Sequence, residues 1–224
     1  MSVQTVSVQT LPVDNGYLRT KRIVDIVFTL LIFVPLCIVV AIVALMIRLD
    51  SPGPVFFRQK RVGKNGTEFE MLKFRSMYCN SDDALHREAT RRFMNGGTLS
   101  NDADKSKLYK LTNDSRVTRV GRFLRKTSID ELPQFFNVLR GDMTLVGPRP
   151  ALNYEVELYS PQERLRLCGK PGLTGPWQVY GRSGVSFQMM IKMDVEYLRQ
   201  QSTWQDLKLI VLTVPIMLLG SGGA

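Results

Sequence analysis

The sequence predicts an α+β fold that is mostly helical and that carries one membrane-embedded helix near its start. Residues 26–47 carry no charged side chain, and this run exceeds the ~20 apolar residues that span a bilayer. Asn65-Gly66 lies between two β-prone segments, which is a strong short-range signal for a hairpin. A later segment, residues 186–201, places apolar residues at helical spacing. A chain of 224 residues suits one domain with a sizeable core, alone or with a membrane element.

The composition indicates an anionic partner and argues against histidine or disulfide chemistry. Lysine and arginine number 30 against 20 acidic residues, an excess that suits nucleic acid, an acidic membrane surface or a phosphorylated substrate. A solvated basic surface without a single partner is the plain alternative. Cys37, Cys79 and Cys168 lack metal or redox spacing, which fits a reducing cytosol. Because His86 is the one histidine, acid–base chemistry would fall to carboxylates.

The apolar run predicts a membrane helix over residues 19–50, preceded by a mobile tail at residues 1–18. A cleaved signal peptide is disfavoured, because the run is too long and no small-residue cleavage site precedes Arg48. Two topologies remain open at this point. The helix crosses the bilayer once, or it bends at Pro35 and returns to the side from which it entered.

Pro35 lies near the middle of the run, where proline removes one backbone hydrogen bond and clashes with the preceding turn. Proline alone does not decide the topology, because kinked spanning helices are common. Positive charge stays on the cytoplasmic side, and basic residues flank the run at both ends: Arg19, Lys21, Arg22, Arg48, Arg58, Lys60, Arg61 and Lys64. We therefore favour a re-entrant helix broken at Pro35.

Residues 51–224 are predicted to form one domain of short helices with a small β-hairpin. The hairpin arms are residues 55–59 and 69–74. Helices are predicted at residues 81–94, 116–126, about 130–139 and 186–201, with a mobile polar loop at about 95–114. In the last helix, four apolar residues at helical spacing predict core packing: Phe187, Ile191, Val195 and Leu198.

A second apolar run at residues 209–219 is interrupted by Pro215 and is too short to span a bilayer. Trp177 and Trp204 precede it, and tryptophan beside an apolar segment suits the lipid interface. The run therefore predicts either an interfacial helix or the core-packed helix of the domain.

Asp130 and Glu131 are the carboxylates that the sequence singles out for chemistry. As purely structural residues they suit a helix start: Ser128 and Glu131 fit a capping box, or Asp130 is itself the N-cap. The second option places Pro133 at a position where its missing N–H costs no hydrogen bond. As functional residues, a carboxylate can attack phosphorus to form an acyl phosphate. One or two carboxylates with substrate phosphates can also hold Mg²⁺.

Arginines surround this acidic pair in the sequence. Arg116, Arg119, Arg122 and Arg125 recur at every third residue and predict a basic ridge that leads to the acids. Arginine forks bind phosphate oxygens bidentately, although such a ridge could equally bind nucleic acid or anionic lipid.

Other basic residues lie in rigid or glycine-rich segments. Two prolines flank Arg149, which preorganises its guanidinium for a ligand or for a structural carboxylate. Arg182 lies in a glycine-rich turn that allows a ligand close to the backbone. Lys73 adds a cation at the hairpin. We take Lys73, Arg125, Arg149 and Arg182 as candidate phosphate-binding residues.

Several long motifs together resemble the bacterial sugar transferases, the monotopic phosphoglycosyl transferases. They are SPGPVFFRQKRVG (51–63), KFRSM (73–77), SIDELPQFFNVLRGDMTLVGPRP (128–150), KPGLTGPWQV (170–179) and GR (181–182). The resemblance runs from about Lys21 to the end of the chain. It implies a catalytic domain on the cytoplasmic face of the bacterial inner membrane. It also implies the family's re-entrant helix, although Val34-Pro35 stands where the family has Ser-Pro.

The resemblance implies transfer of a hexose-1-phosphate from a UDP-hexose to undecaprenyl phosphate, with release of UMP, at the first membrane step of surface-glycan synthesis. Asp130 would attack the sugar-linked phosphate, and Glu131 would assist through Mg²⁺ or as a base. Both acids are then candidate Mg²⁺ ligands. Glucose or galactose is the expected sugar, with anionic lipid as a further partner, no nucleic acid, and a homo-oligomer left open. The competing hypothesis is a membrane-tethered binding module without enzymatic activity.

Overall fold

The structure is a computed structural model that describes residues 14–79, 84–94, 114–181 and 185–218. It confirms a mostly helical α+β chain. The helices are α1 (Asn15–Leu31), α2 (Phe33–Asp50), α3 (Ala84–Met94), α4 (Arg119–Thr127), α5 (Gln134–Arg140), α6 (Asn153–Glu157), α7 (Phe187–Gln200) and α8 (Thr203–Leu218). The strands are β1 (Phe56–Val62), β2 (Glu68–Phe74), β3 (Thr144–Val146) and β4 (Gly172–Thr174). The predicted loop at 95–114 lies outside the described residues apart from Asp114.

The predicted membrane helix is two helices, α1 and α2, interrupted at Ile32. Pro35 is the third residue of α2, a position whose N–H has no partner within a helix, so the proline costs α2 no hydrogen bond. In a continuous helix, the proline ring would clash with the backbone carbonyl of Leu31, four residues earlier. The helix also begins at Asn15, inside the segment predicted as a tail, whose first 13 residues lie outside the described part.

Within the described residues, α2 is the one helix long and apolar enough to cross a membrane, with a mean hydropathy of 2.4. Its buried residues Leu36, Val43 and Ile47 recur on one face. Val43 and Ile47 pack against Phe74 and Leu124. The other faces expose large apolar side chains: Val34, Ile38, Ile42, Leu45 and Leu49. The helix therefore presents apolar surface that the protein itself does not cover.

Both ends of the α1–α2 pair contact the same folded domain. Near the start, Arg22 donates to the carbonyl oxygens of Val138 and Leu139, at 2.6 and 2.7 Å. At the end of α2, Asp50 accepts a hydrogen bond of 3.1 Å from the amide of Val120. Between these ends the pair stays in contact with the domain, since Asp25, Thr29 and Leu36 are buried.

The hairpin prediction is confirmed. Strands β1 and β2 pair antiparallel with Phe56 opposite Phe74. Asn65 and Gly66 adopt the positive φ values of 55° and 82° that favour these two residue types in a tight turn. The hairpin is longer than predicted, because β1 continues to Val62.

The core is built where α5, α7 and α8 pack on the short parallel pair β3–β4. Its fully buried members include Val138, Met143 and Leu209. The predicted stripe on α7 is confirmed as core, since Phe187, Ile191 and Leu198 are buried and Val195 packs beside them. Helix α8 begins at Thr203, six residues before the predicted apolar run.

A polar network ties α1 to the last two helices. The Asp206 carboxylate accepts hydrogen bonds from Tyr17 at 2.8 Å, from Lys21 at 2.6 Å and from Tyr197 at 2.5 Å. All four groups are buried or nearly so, and a buried carboxylate is stable when its partners satisfy it in this way. The network fixes α8 against α1.

Candidate active site

Asp130 and Glu131 lie in a turn of 3₁₀ helix, Ile129–Glu131, that separates α4 from α5. Ser128 ends α4 in the left-handed conformation, with φ of 57°. Helix α5 then begins at Gln134 with Pro133 as its N-cap, without a side-chain cap. Both capping predictions and the predicted helix start at Asp130 are therefore wrong. The left-handed conformation of Ser128 ends α4, and the two acids that follow it line a cavity.

The cavity has a volume of about 270 Å³. A group of charged side chains lines its polar part: Arg61, Lys73, Asp130, Glu131, Arg149, Glu155 and Arg166. Two apolar regions lie beside them. One is formed by α1, α5 and α8, and the other by α3 and α7. A pocket with an apolar body and a few convergent charged groups is the usual form of a ligand site.

Lys73 and Glu131 form an ion pair inside this cavity, with Nζ and Oε1 2.7 Å apart. Burial opposes ionisation of Glu131, but the Lys73 ammonium, with Arg149 and Arg61, holds the pKa of Glu131 below its ordinary value. Glu131 is therefore a carboxylate at neutral pH, and its charge is shared with Lys73.

Asp130 differs from Glu131, because its surroundings raise the pKa of its carboxyl group instead of lowering it. Burial and, to a smaller extent, the Glu131 charge raise the pKa of Asp130 to about 6, although Lys73 and Arg125 oppose the rise. The side chain is 9% exposed. Asp130 is thus a carboxylate above pH 6 that is poorly solvated, and poor solvation makes an anion more reactive towards an electrophile.

Arg149 reaches the same cavity from the loop that follows β3. Its guanidinium carbon lies 5.8 Å from the ring centre of Trp177, within the range of a cation–π contact. Arg166 anchors this loop. It donates to the Arg149 carbonyl at 3.2 Å and pairs with the buried Asp194 at 2.6 Å. Arg166 and Asp194 are therefore a support for the loop, which the sequence analysis did not identify.

Arg61 is a cavity residue that sequence reasoning missed as a site residue. It is buried in β1 and donates to the Pro150 carbonyl at 2.9 Å and to Gln59. Its charge also acts on Glu131. In the sequence, Arg61 is marked only as an arginine within a predicted strand, directly before Val62 and Gly63. The same pattern is typical of a solvated edge strand, so it does not identify a site residue.

The basic ridge does not act as one surface. Arg116 lies before α4 and pairs with Asp114 at 2.7 Å. Arg119 and Arg122 are exposed. Arg125 is the ridge member whose charge acts on Asp130. Arg182, the remaining candidate, lies outside the described residues.

Two contacts hold the acidic turn against the strand that carries Lys73. The Thr118 amide donates to the Ser76 carbonyl at 3.1 Å. A Cβ on Gly121 would lie 2.0 Å from that same oxygen, so α4 approaches the strand end in a way that no other residue type permits. On the far side, the buried Asn137 amide accepts from the Leu72 N–H at 2.9 Å and donates to the Glu70 carbonyl at 2.7 Å.

The site carries part of a metal-binding set. Among the residues that the structure describes, no three His, Cys, Asp or Glu side chains cluster as a metal cage. Asp130 and Glu131 are nevertheless adjacent on one cavity. Mg²⁺ is commonly held by one or two carboxylates together with water and substrate phosphates. The donor set therefore fits Mg²⁺ bound with a phosphorylated substrate.

The chain is similar to known proteins over nearly its whole length. The family model described as bacterial sugar transferase matches residues 16–220. The galactosyl transferase CpsE of Streptococcus agalactiae is 43% identical over 92% of this chain and 44% of its own length. The exopolysaccharide production protein ExoY of Rhizobium meliloti is 37% identical over 95% of this chain and 93% of its own.

The UDP-glucose:undecaprenyl-phosphate glucose-1-phosphate transferase of Escherichia coli is 38% identical over 95% of this chain and 43% of its own length. The chain spans less than half the length of the first curated relatives that it matches, at 44% and 41%. The family match covers nearly the whole chain and includes every described residue of the cavity. The chain therefore belongs to the bacterial sugar transferase family.

Proposed function

We propose that this protein transfers a hexose-1-phosphate from a UDP-hexose to undecaprenyl phosphate, at the first membrane step of exopolysaccharide or other surface-glycan synthesis. The observation that carries the proposal is the cavity in which the poorly solvated Asp130 carboxylate lies beside Lys73, Glu131 and Arg149. Relatives named as undecaprenyl-phosphate glucose and galactose transferases support the choice of substrates.

In the proposed first step, an Asp130 carboxylate oxygen attacks the sugar-linked phosphorus of the donor. The bond from that phosphorus to the bridging oxygen breaks, and UMP leaves with the bridging oxygen and the electron pair. An aspartyl-phosphosugar remains on the enzyme. Lys73, Arg125 and Arg149 bind phosphate oxygens and offset the charge of the two acids.

In the second step, a phosphate oxygen of undecaprenyl phosphate attacks the same phosphorus. The Asp130 carboxylate leaves, and the product is undecaprenyl diphosphate sugar. The raised pKa of Asp130, about 6, suits the attack in the first step. The group is ionised and nucleophilic at neutral pH, and burial weakens its solvation before attack.

We propose that Asp130 and Glu131 also hold Mg²⁺ together with the donor phosphates. When bound, the cation supplies charge neutralisation between the phosphates and the carboxylates. Glu131 already carries a full negative charge because Lys73 holds its pKa down, which suits it as the cation's ligand.

We propose further that α1 and α2 form a re-entrant membrane element, with the catalytic domain on the cytoplasmic face of the inner membrane. The support is geometric. In a continuous helix Arg22 and Asp50 would lie about 42 Å apart, from 28 residues at ~1.5 Å each. Here both residues bond to the same domain, which supports a pair of helices that returns to the side from which it entered. Basic residues flank both ends, and anionic lipid headgroups are their expected partner.

The test is to incubate the purified protein in lipid nanodiscs with undecaprenyl phosphate, Mg²⁺ and a panel of UDP-sugars. UMP as the product supports phosphosugar transfer and identifies the donor. UDP as the product would mean ordinary glycosyl transfer and would refute the mechanism. Asp130→Asn should abolish UMP release in a protein that still folds and inserts. Turnover retained by this variant would exclude Asp130 as the nucleophile.

A further inference from the structure

We infer that the apolar region of the cavity between α1 and α8 is the slot for the first isoprene units of the lipid acceptor, with α8 as one of its walls. This inference rests on the proposed function and names the acceptor subsite of that same cavity. Its evidence is the continuity of the cavity from the charged residues to the uncovered apolar surface of the two helices.

The walls of the slot come from elements on both sides of the acidic turn. Phe28 lies on α1, Phe135 on α5, and Leu173 on β4. Helix α8 contributes Ile210, Val214 and Ile216. These side chains share one continuous cavity with Asp130 and Glu131. A lipid phosphate placed at the acids therefore has an apolar channel available for the chain attached to it.

The slot opens onto surface that suits lipid. Val214 lines the cavity and is also 51% exposed, so it lies at the mouth. The neighbouring outward faces of α1 and α8 expose further apolar side chains: Val27, Leu30, Leu31, Trp204, Leu207 and Val211. Because a soluble surface rarely exposes so much contiguous apolar area, these faces indicate contact with the bilayer. An isoprenoid can enter from that side without crossing water.

One polar contact sets the position of the α8 wall. Thr174 donates from its hydroxyl to that of Thr213 at 2.7 Å, and Thr213 donates to the Leu209 carbonyl one turn earlier. The contact satisfies both hydroxyls within an otherwise apolar wall. Pro215 follows directly within α8 and removes one helical hydrogen bond there. The contact with β4 therefore supports α8 close to the point where the helix lacks one of its own hydrogen bonds.

The test is Val214→Trp, which narrows the mouth at a half-exposed position without filling the core. The matched control is Val211→Trp, on the same helix and 61% exposed, but outside the cavity lining. Three quantities are measured in nanodiscs: UMP released from the donor without acceptor, KM for undecaprenyl phosphate, and KM for the UDP-sugar. Val214→Trp should raise the acceptor KM by about tenfold and leave the other two unchanged. Val211→Trp should alter none of them.

An unchanged acceptor KM in Val214→Trp would overturn the inference, and so would equal losses in the donor and acceptor steps. Wild-type protein that releases no UMP from any donor would instead refute the proposed function. The slot is then tested by binding alone, with a diazirine-bearing farnesyl phosphate as the probe. Labelling on α1 and α8 that undecaprenyl phosphate removes, and phosphatidylglycerol does not, supports an isoprenoid slot. Labelling elsewhere, or removal by both lipids, overturns it.

Discussion

Asp130→Asn should make the protein inactive and more stable at the same time. The substitution removes a carboxylate that the fold holds against its ionisation, because burial raises the pKa of Asp130 from 3.8 to about 6. Between these values the folded protein binds more protons than the unfolded chain. Stability therefore falls as the pH rises from about 4 to about 6, and the full penalty is present above pH 6.

The size of the penalty follows from the pKa. A rise of roughly 2 units, from 3.8 to about 6, corresponds to about 3 kcal/mol at ~1.4 kcal/mol per unit. We take this as the ceiling, because unfolded chains and local rearrangement reduce such effects. A gain of 1 kcal/mol raises Tm by about 2–4 °C in a domain of this size. Asp130→Asn should therefore raise Tm by at least ~2 °C at pH 7.5.

The assay is thermal unfolding of both proteins in the same detergent and at one scan rate, at pH 7.5 and near pH 4. The advantage of Asp130→Asn should shrink at the lower pH, where the wild-type carboxyl is also neutral in the fold. Asp114→Asn is the control of opposite sign. The hydrogen bonds from Arg116 hold the pKa of Asp114 below its ordinary value, so its loss should lower Tm at pH 7.5. Equal or lower stability of Asp130→Asn at pH 7.5 would refute the reasoning.

Three further substitutions test the site, its support and the membrane element. Lys73→Met removes the cation that opposes protonation of Asp130, so the acid limb of the pH–rate profile should move up by about one unit. Asn137→Leu leaves the Leu72 N–H without its partner and should lower the free energy of unfolding by about 2–3 kcal/mol in denaturant titration. Pro35→Ala should straighten the membrane helix towards a spanning one, so that a cysteine placed before α1 becomes accessible to reagent from the opposite side.

Each of these three substitutions has a control variant and an outcome that would contradict the prediction. Lys73→Arg keeps the charge and should keep the acid limb in place; an unmoved limb in Lys73→Met would separate Lys73 from Asp130. Asn153→Ala removes a surface amide contact and should cost less than about 1 kcal/mol. If Asn137→Leu lowered the free energy of unfolding by as little as Asn153→Ala, the proposed structural role of Asn137 would be refuted. Cysteine labelling from the cytoplasmic side in both wild type and Pro35→Ala would show that proline is not the determinant.

Local rules predicted the elements that local chemistry decides. The Asn65-Gly66 turn needs positive φ values that these two residues tolerate, so the hairpin was visible in the sequence. The stripe on α7 was visible because burial repeats with the helical period. The break between α1 and α2 was predicted at Pro35, because proline disfavours continuation of the helix that precedes it, and the structure places the break at Ile32, three residues earlier.

The acidic turn was not predictable in detail, because distant contacts decide it. Ser128 takes a left-handed conformation that a serine adopts at some cost. The packing of α4 against the Ser76 carbonyl and the pairing of Glu131 with Lys73 fix the chain on either side. A capping rule considers neighbours in sequence and therefore placed a helix start at Asp130.

Buried pairs far apart in sequence were equally hidden. Arg166 and Asp194 lie 28 residues apart, and nothing in either segment indicates that they meet. Arg61 reads locally as a surface arginine of an edge strand, yet the Pro150 carbonyl draws it inside. The sequence thus predicted that Asp130, Glu131, Lys73 and Arg149 belong to one site, and the structure places them on one cavity. The buried partners Arg61, Arg166 and Asp194 depend on the tertiary fold.

The network at Asp206 has a consequence for how the chain is made. Tyr17 and Asp206 are separated by 189 residues, which a ribosome adds in roughly 10–40 s at ~5–20 residues per second. During that time the emerging α1 has its tyrosine and Lys21 ready and no carboxylate to receive them. Helix α1 is therefore complete before its partner on α8 exists. Synthesis of α8 then closes the protein, so the earliest segment is the last to be locked in place.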